Sequence, residues 1–205
     1  MGKLFCLHSD DLDIQWALKL VPTARREKAI RLSSDRARKE SLAAGLLLCR
    51  AAAEYGEDPD AVCYDANGKP DFASGRVHFS LSHSRGFAVC AVSKLPVGVD
   101  AEKKRPANLR AADRCFCEEE KNQLMACGSD DLKNQMFTRI WPRKEAFGKA
   151  DGRGLLIANG FCAADGGTYE GHRYFFSDFE ISDWLLSVCT KDTREDFALH
   201  WCENT

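Results

Sequence analysis

The longest regular pattern of apolar residues lies in the first half of the chain. Leu42, Leu46 and Ala51 recur at the spacing of one helix face, and Gly56 follows them as a stop signal. The pattern therefore predicts a long amphipathic helix over residues 35–55.

A different pattern follows, in which apolar residues form short runs with the composition of strands. These runs predict a β-hairpin over 77–92 with a polar tip at 82–86, and then a strand that ends at Asp100 and Glu102. The remaining patterns predict strands over 3–7, 155–158, 174–179, 184–190 and 198–201. They also predict a helix capped by Asp10 or Asp11, and further helices over 24–32, 109–116, 118–127 and 132–149. Pro142 should kink or split the last of these helices.

Two segments of the sequence resemble each other. Residues 79–82 and the strand after them are similar to residues 179–182 and the strand after those, and a Lys-Glu pair in a long helix precedes each segment. A duplicated α+β unit explains this similarity, while chance likeness between two hairpins is the alternative.

Composition narrows the class of protein. The chain has 205 residues, of which 44% are hydrophobic and 29% charged, as in ordinary soluble globular proteins. The net charge of −2 gives no field that attracts nucleic acid, although residues 25–40 carry an excess of four positive charges. The longest apolar run, 42–49, is too short to span a bilayer, and no signal peptide opens the chain. We therefore expect a cytoplasmic protein with no membrane or nucleic-acid partner.

The spacing of the cysteines argues against a metal site, and the expected compartment predicts their oxidation state. Ten are present, without a C-x-x-C pair or a histidine at ligand spacing, which argues against a zinc site. In a cytoplasmic protein we expect them to be reduced.

Two pairs of charged residues could carry chemistry. Asp100 and Glu102 alternate along a strand, so both point to one face, and two adjacent carboxylates suit Mg²⁺. A solvated strand end is the alternative. Glu145 and Lys149 share one face of a predicted helix, where an ordinary ion pair is the alternative.

Four motifs, taken together, resemble those of the surfactin-type 4′-phosphopantetheinyl transferases. They are G-K-P at 68–70, F-S-L-S-H-S at 79–84, G-V-D-A-E at 98–102 and W-x-x-K-E-A-x-x-K-x-x-G-x-G-L at 141–155. Pro142 departs from this pattern, since the family usually has serine there. The resemblance implies an α+β fold built as a pseudo-two-fold pair of similar halves. The expected halves are residues 1–96, which form the coenzyme A-binding side, and residues 97–205, which form the metal and catalytic side.

The resemblance also implies a reaction and a site. Such enzymes use Mg²⁺ and move the phosphopantetheine arm of coenzyme A to a serine of an apo acyl or peptidyl carrier protein, releasing adenosine 3′,5′-bisphosphate. The positions that match the family's metal ligands are Asp100, Glu102 and Glu145. Glu145 also matches the proposed base, Lys149 the cation at the pyrophosphate, and Glu120 an additional glutamate near the metal. The positions that match the coenzyme A contacts are Arg25, Lys28, Ser41, Lys69, Ser82 and His83.

Two other functions remain open from the sequence. One is a different Mg²⁺-dependent phosphotransferase or phosphohydrolase, and the other is a silent module that binds coenzyme A or a carrier protein. Because one chain carries both halves, we expect a monomer with a single cleft between the halves and one coenzyme A per chain.

Overall fold

The computed structural model describes residues 1–164 and 166–203, and the chain forms two compact units. The first holds Met1–Lys94 together with the segment from Phe197 onward, and the second holds Leu95–Asp196. This division differs from the expected halves 1–96 and 97–205 at the C-terminus, because the last strand pairs with the first strand of the chain. No helix in the described part of the chain is long and apolar enough to cross a membrane.

Ten strands and six α-helices are present in the described residues. In chain order they are β1 (Gly2–His8), α1 (Ile14–Leu20), α2 (Thr23–Arg31), α3 (Asp35–Tyr55), β2 (Val62–Tyr64), β3 (Pro70–Phe72), β4 (His78–Ser84), β5 (Phe87–Ser93), β6 (Val97–Lys103), α4 (Leu109–Cys115), α5 (Glu118–Ala126), α6 (Asp130–Asp151), β7 (Gly167–Tyr169), β8 (His172–Ile181), β9 (Trp184–Lys191) and β10 (Phe197–Trp201).

Helix α3 is the central helix of the first unit. Ser34 caps its N-terminus, and Gly56 ends it in a left-handed conformation with φ of 65°, so the prediction of a helix over 35–55 is confirmed. Its buried residues, among them Leu42 and Leu47, join the core against a sheet of order β10-β1-β5-β4. Strands β2 and β3 form a separate hairpin.

Two local predictions in the first unit are wrong. Asp13 caps α1, where the sequence predicts one of two earlier aspartates, because its carboxylate reaches the free N–H groups of the first turn. The β4–β5 hairpin turns on two residues only, Arg85 and Gly86, both with positive φ. Ser82 and His83 therefore lie within β4 rather than at the hairpin tip.

The second unit packs helix α6 against an antiparallel sheet of order β6-β9-β8-β7. Strand β6 pairs with β9 over its full length, so Asp100 and Glu102 lie inside the strand and not at its end. Helix α6 continues through Pro142 as one element.

The predicted strand over 155–158 is wrong, because Gly154–Gly160 forms a 3₁₀ helix. Gly152 and Gly154 both have positive φ and turn the chain sharply out of α6. The apolar run that follows is folded against that helix rather than extended.

The two units share one internal topology. In the first, β1 lies beside the hairpin in the order β1-β5-β4, and in the second β6 lies beside its hairpin in the order β6-β9-β8. A long helix, α3 or α6, stands between the lone strand and the hairpin in sequence. A duplicated α+β unit has this arrangement, and the α+β fold class is confirmed.

Gly98 allows helix α6 to lie unusually close to strand β6. A Cβ atom on Gly98 would stand 2.0 Å from the carbonyl oxygen of Ala146 and 2.4 Å from the amide nitrogen of Ala150. Only glycine permits such an approach of two backbones. The close packing also lets Lys149 reach the strand.

We expect Gly98→Ala to lower the free energy of unfolding by roughly 1–3 kcal/mol, because backbone atoms of a packed helix would have to move. Gly128→Ala is the matched control, since a Cβ atom there meets no other atom within 4 Å. Urea unfolding of both variants measures the difference. Equal stability of the Gly98→Ala variant and the unchanged protein would contradict the close packing.

Candidate active site

Strand β6 and helix α6 bring four charged side chains of the second unit together. Asp100 and Glu102 are two residues apart on β6 and project from the same face. Glu145 and Lys149 lie one turn apart on α6, which packs against β6. The four residues that the sequence singled out for metal binding and catalysis are therefore neighbours in the fold.

Lys149 pairs with Asp100 rather than with Glu145 on its own helix. Its ammonium group donates to Asp100 Oδ1 at 2.8 Å and to the Val99 carbonyl oxygen at 2.9 Å. Asp100 is nearly buried, with 5% of its surface exposed. The contact thus neutralises a carboxylate that has little access to water.

Glu102 has partners on two sides. Arg105 Nε lies 3.3 Å from Glu102 Oε2, and the Trp141 side chain is close enough to the same carboxylate to lower its pKa. Burial raises the pKa of Glu102, and the charge of Asp100 raises it further, while Arg105 and Trp141 oppose both effects. Arg105 therefore holds the carboxylate in place, although burial and the charge of Asp100 destabilise its ionised form.

Glu145 is the most perturbed carboxyl group of the site. Burial raises its pKa from 4.5 to about 7, and the charges of Asp100 and Glu102 act in the same direction, while Lys149 opposes them. Within the described residues, Glu145 forms no salt bridge. It is therefore poised to hold or release a proton near neutral pH.

The three carboxylates form a donor set that suits Mg²⁺. All supply oxygen ligands. Burial and the neighbouring carboxylate charges raise the pKa values of Glu102 and Glu145, and a divalent cation would relieve the repulsion between these charges. Their oxygen atoms are farther apart than the ligand atoms of a second group of residues. Among the described residues, Cys117, Glu120 and Cys162 are the trio whose ligand atoms all lie within 4.8 Å of one another.

A buried ion pair argues against a metal in that second group. Lys144 and Glu120 are both fully buried, and Lys144 Nζ lies 2.5 Å from Glu120 Oε2. The backbone N–H groups of Cys117 and Ala163 donate to the same carboxylate, at 2.9 Å and 2.6 Å. Both oxygens of Glu120 are engaged and an ammonium already supplies the positive charge, so the glutamate acts as a structural partner.

In the first unit, a pocket of about 260 Å³ contains two of the predicted coenzyme A contacts. Arg25 and Lys28 of α2 line it, together with Tyr64 and Gly68. Burial lowers the pKa of Arg25 and of Lys28, and the charge of Arg25 lowers the pKa of Lys28 further. An anion bound in this pocket would therefore stabilise both cations.

The other four predicted coenzyme A contacts do not line this pocket. Lys69 lies in the β2–β3 turn between two residues that do. Ser41 is fully buried in α3, and its hydroxyl group has no hydrogen-bond partner in the described chain. Ser82 is 8% exposed on β4, and His83 Nδ1 lies 3.8 Å from a carboxylate oxygen of Glu40.

Sequence reasoning missed the neighbours that set the charge of the site. Arg105 and Trp141 stand in a basic turn and in a motif that are visible in the sequence, but spacing does not indicate that both meet Glu102. The pairing of Lys144 with Glu120 has no sequence signal, since the two residues lie on different helices.

Known proteins similar to this chain share one activity in their names. A 4′-phosphopantetheinyl transferase of Bacillus subtilis is 35% identical over 141 residues, which cover 67% of this chain and 62% of that protein. The 4′-phosphopantetheinyl transferase Sfp of Bacillus subtilis (strain 168) is 38% identical over 80 residues, 39% of this chain and 35% of that protein. The chain thus spans less than two thirds of the length of these relatives.

Among solved structures, the holo-[acyl-carrier-protein] synthase (AcpS) of Thermotoga maritima is a distant match. It is 20% identical with a TM-score of 0.32, covering 49% of this chain and 64% of that chain, which is too distant for a comparison of sites.

The sequence model of the 4′-phosphopantetheinyl transferase superfamily (ACPS) matches residues 96–202, which include all four residues of the candidate site. Together with the relatives from Bacillus subtilis, this match confirms the resemblance to the surfactin-type enzymes. Because the match covers more than half of the sequence, the chain belongs to the 4′-phosphopantetheinyl transferase superfamily.

Proposed function

We propose that the protein transfers the 4′-phosphopantetheine arm of coenzyme A to a serine of an apo acyl or peptidyl carrier protein. The observation that carries the proposal is the grouping of Asp100, Glu102 and Glu145 beside Lys149 within the region of the superfamily match. A pyrophosphate is polyanionic, so attack on it requires charges of this kind, a metal-binding carboxylate set and a cation.

In the proposed reaction, the serine hydroxyl oxygen attacks the phosphorus that carries the pantetheine arm. Glu145 takes the serine proton, while the bond from that phosphorus to the adenosine side breaks and adenosine 3′,5′-bisphosphate leaves with the electron pair. The raised pKa of Glu145 in the metal-free chain favours proton uptake by this carboxylate, which is the step that a base performs.

The chain's own residues prepare the pyrophosphate for this attack. Asp100, Glu102 and Glu145 would hold Mg²⁺, which when bound neutralises phosphate oxygens and orients the leaving group. Lys149 adds a second positive charge at the same place, where its ammonium group already lies against Asp100. We also propose that the protein works in the cytoplasm as a monomer that binds one coenzyme A per chain.

The 3′-phosphate end of coenzyme A is assigned to the pocket of the first unit. Arg25 and Lys28 line it, and phosphate oxygens would restore the stability that burial takes from their charged forms. Lys69, Ser82 and His83 remain proposed contacts along the same ligand. Ser41 is the weakest of the set, because it is fully buried.

Transfer itself is the first test. Incubation with coenzyme A, Mg²⁺ and a panel of apo carrier proteins should give carriers heavier by one phosphopantetheine in intact mass spectrometry. Asp100→Ala, Glu102→Ala and Glu145→Ala should each lower kcat at least about 100-fold, because each removes a carboxylate that would hold the Mg²⁺ needed to neutralise the transition state. Glu119→Ala is the control, since Glu119 is an exposed acid on α5 and should leave kcat unchanged.

Three outcomes would contradict this assignment. Release of adenosine bisphosphate without an acceptor would indicate a phosphohydrolase, and coenzyme A binding without any transfer would indicate a silent binding module. Near-normal rates in the Asp100→Ala and Glu102→Ala variants at limiting Mg²⁺ would remove the metal assignment.

The raised pKa of Glu145 predicts a pH-dependent stability of the metal-free protein. Between about pH 4.5, the unfolded value, and about pH 7, the folded protein binds more protons, so its stability falls as the pH rises through that window. Glu145→Gln cannot ionise. With EDTA present, it should therefore melt at a higher temperature than the unchanged protein at about pH 8 and at a similar temperature at about pH 4.

Mg²⁺ supplies the counter-test, because it should raise the Tm of the unchanged protein more than that of the Glu145→Gln variant. Glu119→Gln, at an exposed position, should show neither effect. A Tm difference between Glu145→Gln and the unchanged protein that is constant from pH 4 to pH 8 would show that the pKa of Glu145 is ordinary.

The pocket of the first unit predicts a selective loss of coenzyme A affinity. Arg25→Ala/Lys28→Ala should raise the KM for coenzyme A about 10-fold or more with a smaller change in kcat, because the contacts lie at the phosphate and not at the reacting phosphorus. The unchanged protein should prefer coenzyme A to dephospho-coenzyme A, and the double variant should lose that preference. Arg31→Ala, an exposed position on the same helix, is the control. An unaltered preference in the double variant would contradict the assignment.

A further inference from the structure

Cys117 and Cys162 lie side by side in the second unit although helices α5 and α6 separate them in sequence. Their sulfur atoms lie within 4.8 Å of each other. Both residues are partly exposed, so a small reagent can reach them. The reaction of the proposed function does not use either thiol.

The buried carboxylate of Glu120 fixes both cysteine-bearing segments. One of its oxygens accepts a hydrogen bond from the backbone N–H of Cys117 at 2.9 Å, and the other accepts one from the N–H of Ala163, the residue after Cys162, at 2.6 Å. Lys144 holds the same carboxylate and donates to the carbonyl of Phe161, the residue before Cys162. The ion pair therefore anchors both neighbours of Cys162 and the backbone of Cys117.

Two thiols held this way meet each other far more often than either meets a thiol in solution. The rest of the group does not favour a metal, because Glu120 is fully engaged by Lys144 and by backbone donors. Oxidation is the chemistry that remains for a close, partly exposed pair of thiols.

We propose that Cys117 and Cys162 are a reversible oxidation site that forms an intramolecular disulfide when the protein meets a hydroperoxide such as hydrogen peroxide. The Cys117 sulfur attacks one peroxide oxygen, the O–O bond breaks, and a sulfenic acid and one water result. The Cys162 sulfur then attacks the Cys117 sulfur, which forms the S–S bond and releases a second water. The two thiols lose two electrons, the peroxide gains them, and both thiol protons end in water.

The environment of Cys162 supports this order of events. Burial raises the pKa of its thiol to about 11, which keeps it protonated at neutral pH and makes it the poorer first nucleophile. Its sulfur atom lies within 4.8 Å of the Cys117 sulfur atom, where the second step needs it. A disulfide there would close a loop that contains α5 and α6.

Peptide mapping of the full-length protein tests the proposal directly. After treatment with hydrogen peroxide, alkylation of the remaining thiols and digestion, mass spectrometry should find the peptides of Cys117 and Cys162 linked, and dithiothreitol should separate them. The oxidised protein should also melt roughly 5 °C higher than the reduced protein, because the cross-link restricts the unfolded chain.

Single substitutions provide the controls. Cys117→Ser and Cys162→Ser should each abolish the linked peptide and the rise in Tm, whereas Cys63→Ser, which removes an exposed thiol of the first unit, should leave both unchanged. If a serine variant fails to fold, the peptide map of the unchanged protein decides alone. Free Cys117 and Cys162 after a dose that oxidises Cys63, or a link from either of them to a different cysteine, would overturn the proposal.

Discussion

The backbone contact between α6 and β6 is the constraint on which the second unit depends. Gly98 leaves no side chain between the helix and the strand, so Lys149 can bond a strand carbonyl and Asp100 at once. Gly148 allows a second close backbone contact, on the other side of α6. A Cβ atom there would stand 2.5 Å from the backbone of Gly154, so the chain that leaves α6 folds back equally close to it. Two glycines thus fix the position of one helix from both sides.

The two units concentrate charges of opposite sign, carboxylates in the second unit and cations in the first. In the second unit Lys149 neutralises Asp100 and Arg105 neutralises Glu102, whereas Glu145 is balanced by partial protonation. A divalent cation bound at these carboxylates would relieve the repulsion between them and so stabilise the folded chain. In the first unit the charge of Arg25 lowers the pKa of Lys28, and a bound anion would relieve the repulsion between these two cations.

Much of this structure follows from local sequence, and the failures have a common cause. The bounds of α3 follow from its caps, and the shared face of Asp100 and Glu102 follows from the period of a strand. The apolar run at 155–158 has the composition of a strand, but the glycines before it turn it into a 3₁₀ helix. The buried pairing of Lys144 with Glu120 depends on how α5 packs near α6, which no local pattern encodes. The four charged residues that the motifs single out do lie together, whereas the partners that tertiary packing gives them were not predictable from local sequence.

The parallel pairing of β10 with β1 has a consequence for how the chain folds during synthesis. The second unit is continuous in sequence, so its strands and helices leave the ribosome as one uninterrupted segment and can pack once that segment has emerged. The first unit starts earlier but finishes later, because the outer edge of β1 stays uncovered until residues Phe197–Trp201 emerge. For that interval β1, most of whose residues are buried in the finished fold, offers an unpaired strand edge of the kind that promotes association between chains. The N-terminal strand is therefore synthesised first, but its outer edge stays uncovered until β10 has been synthesised.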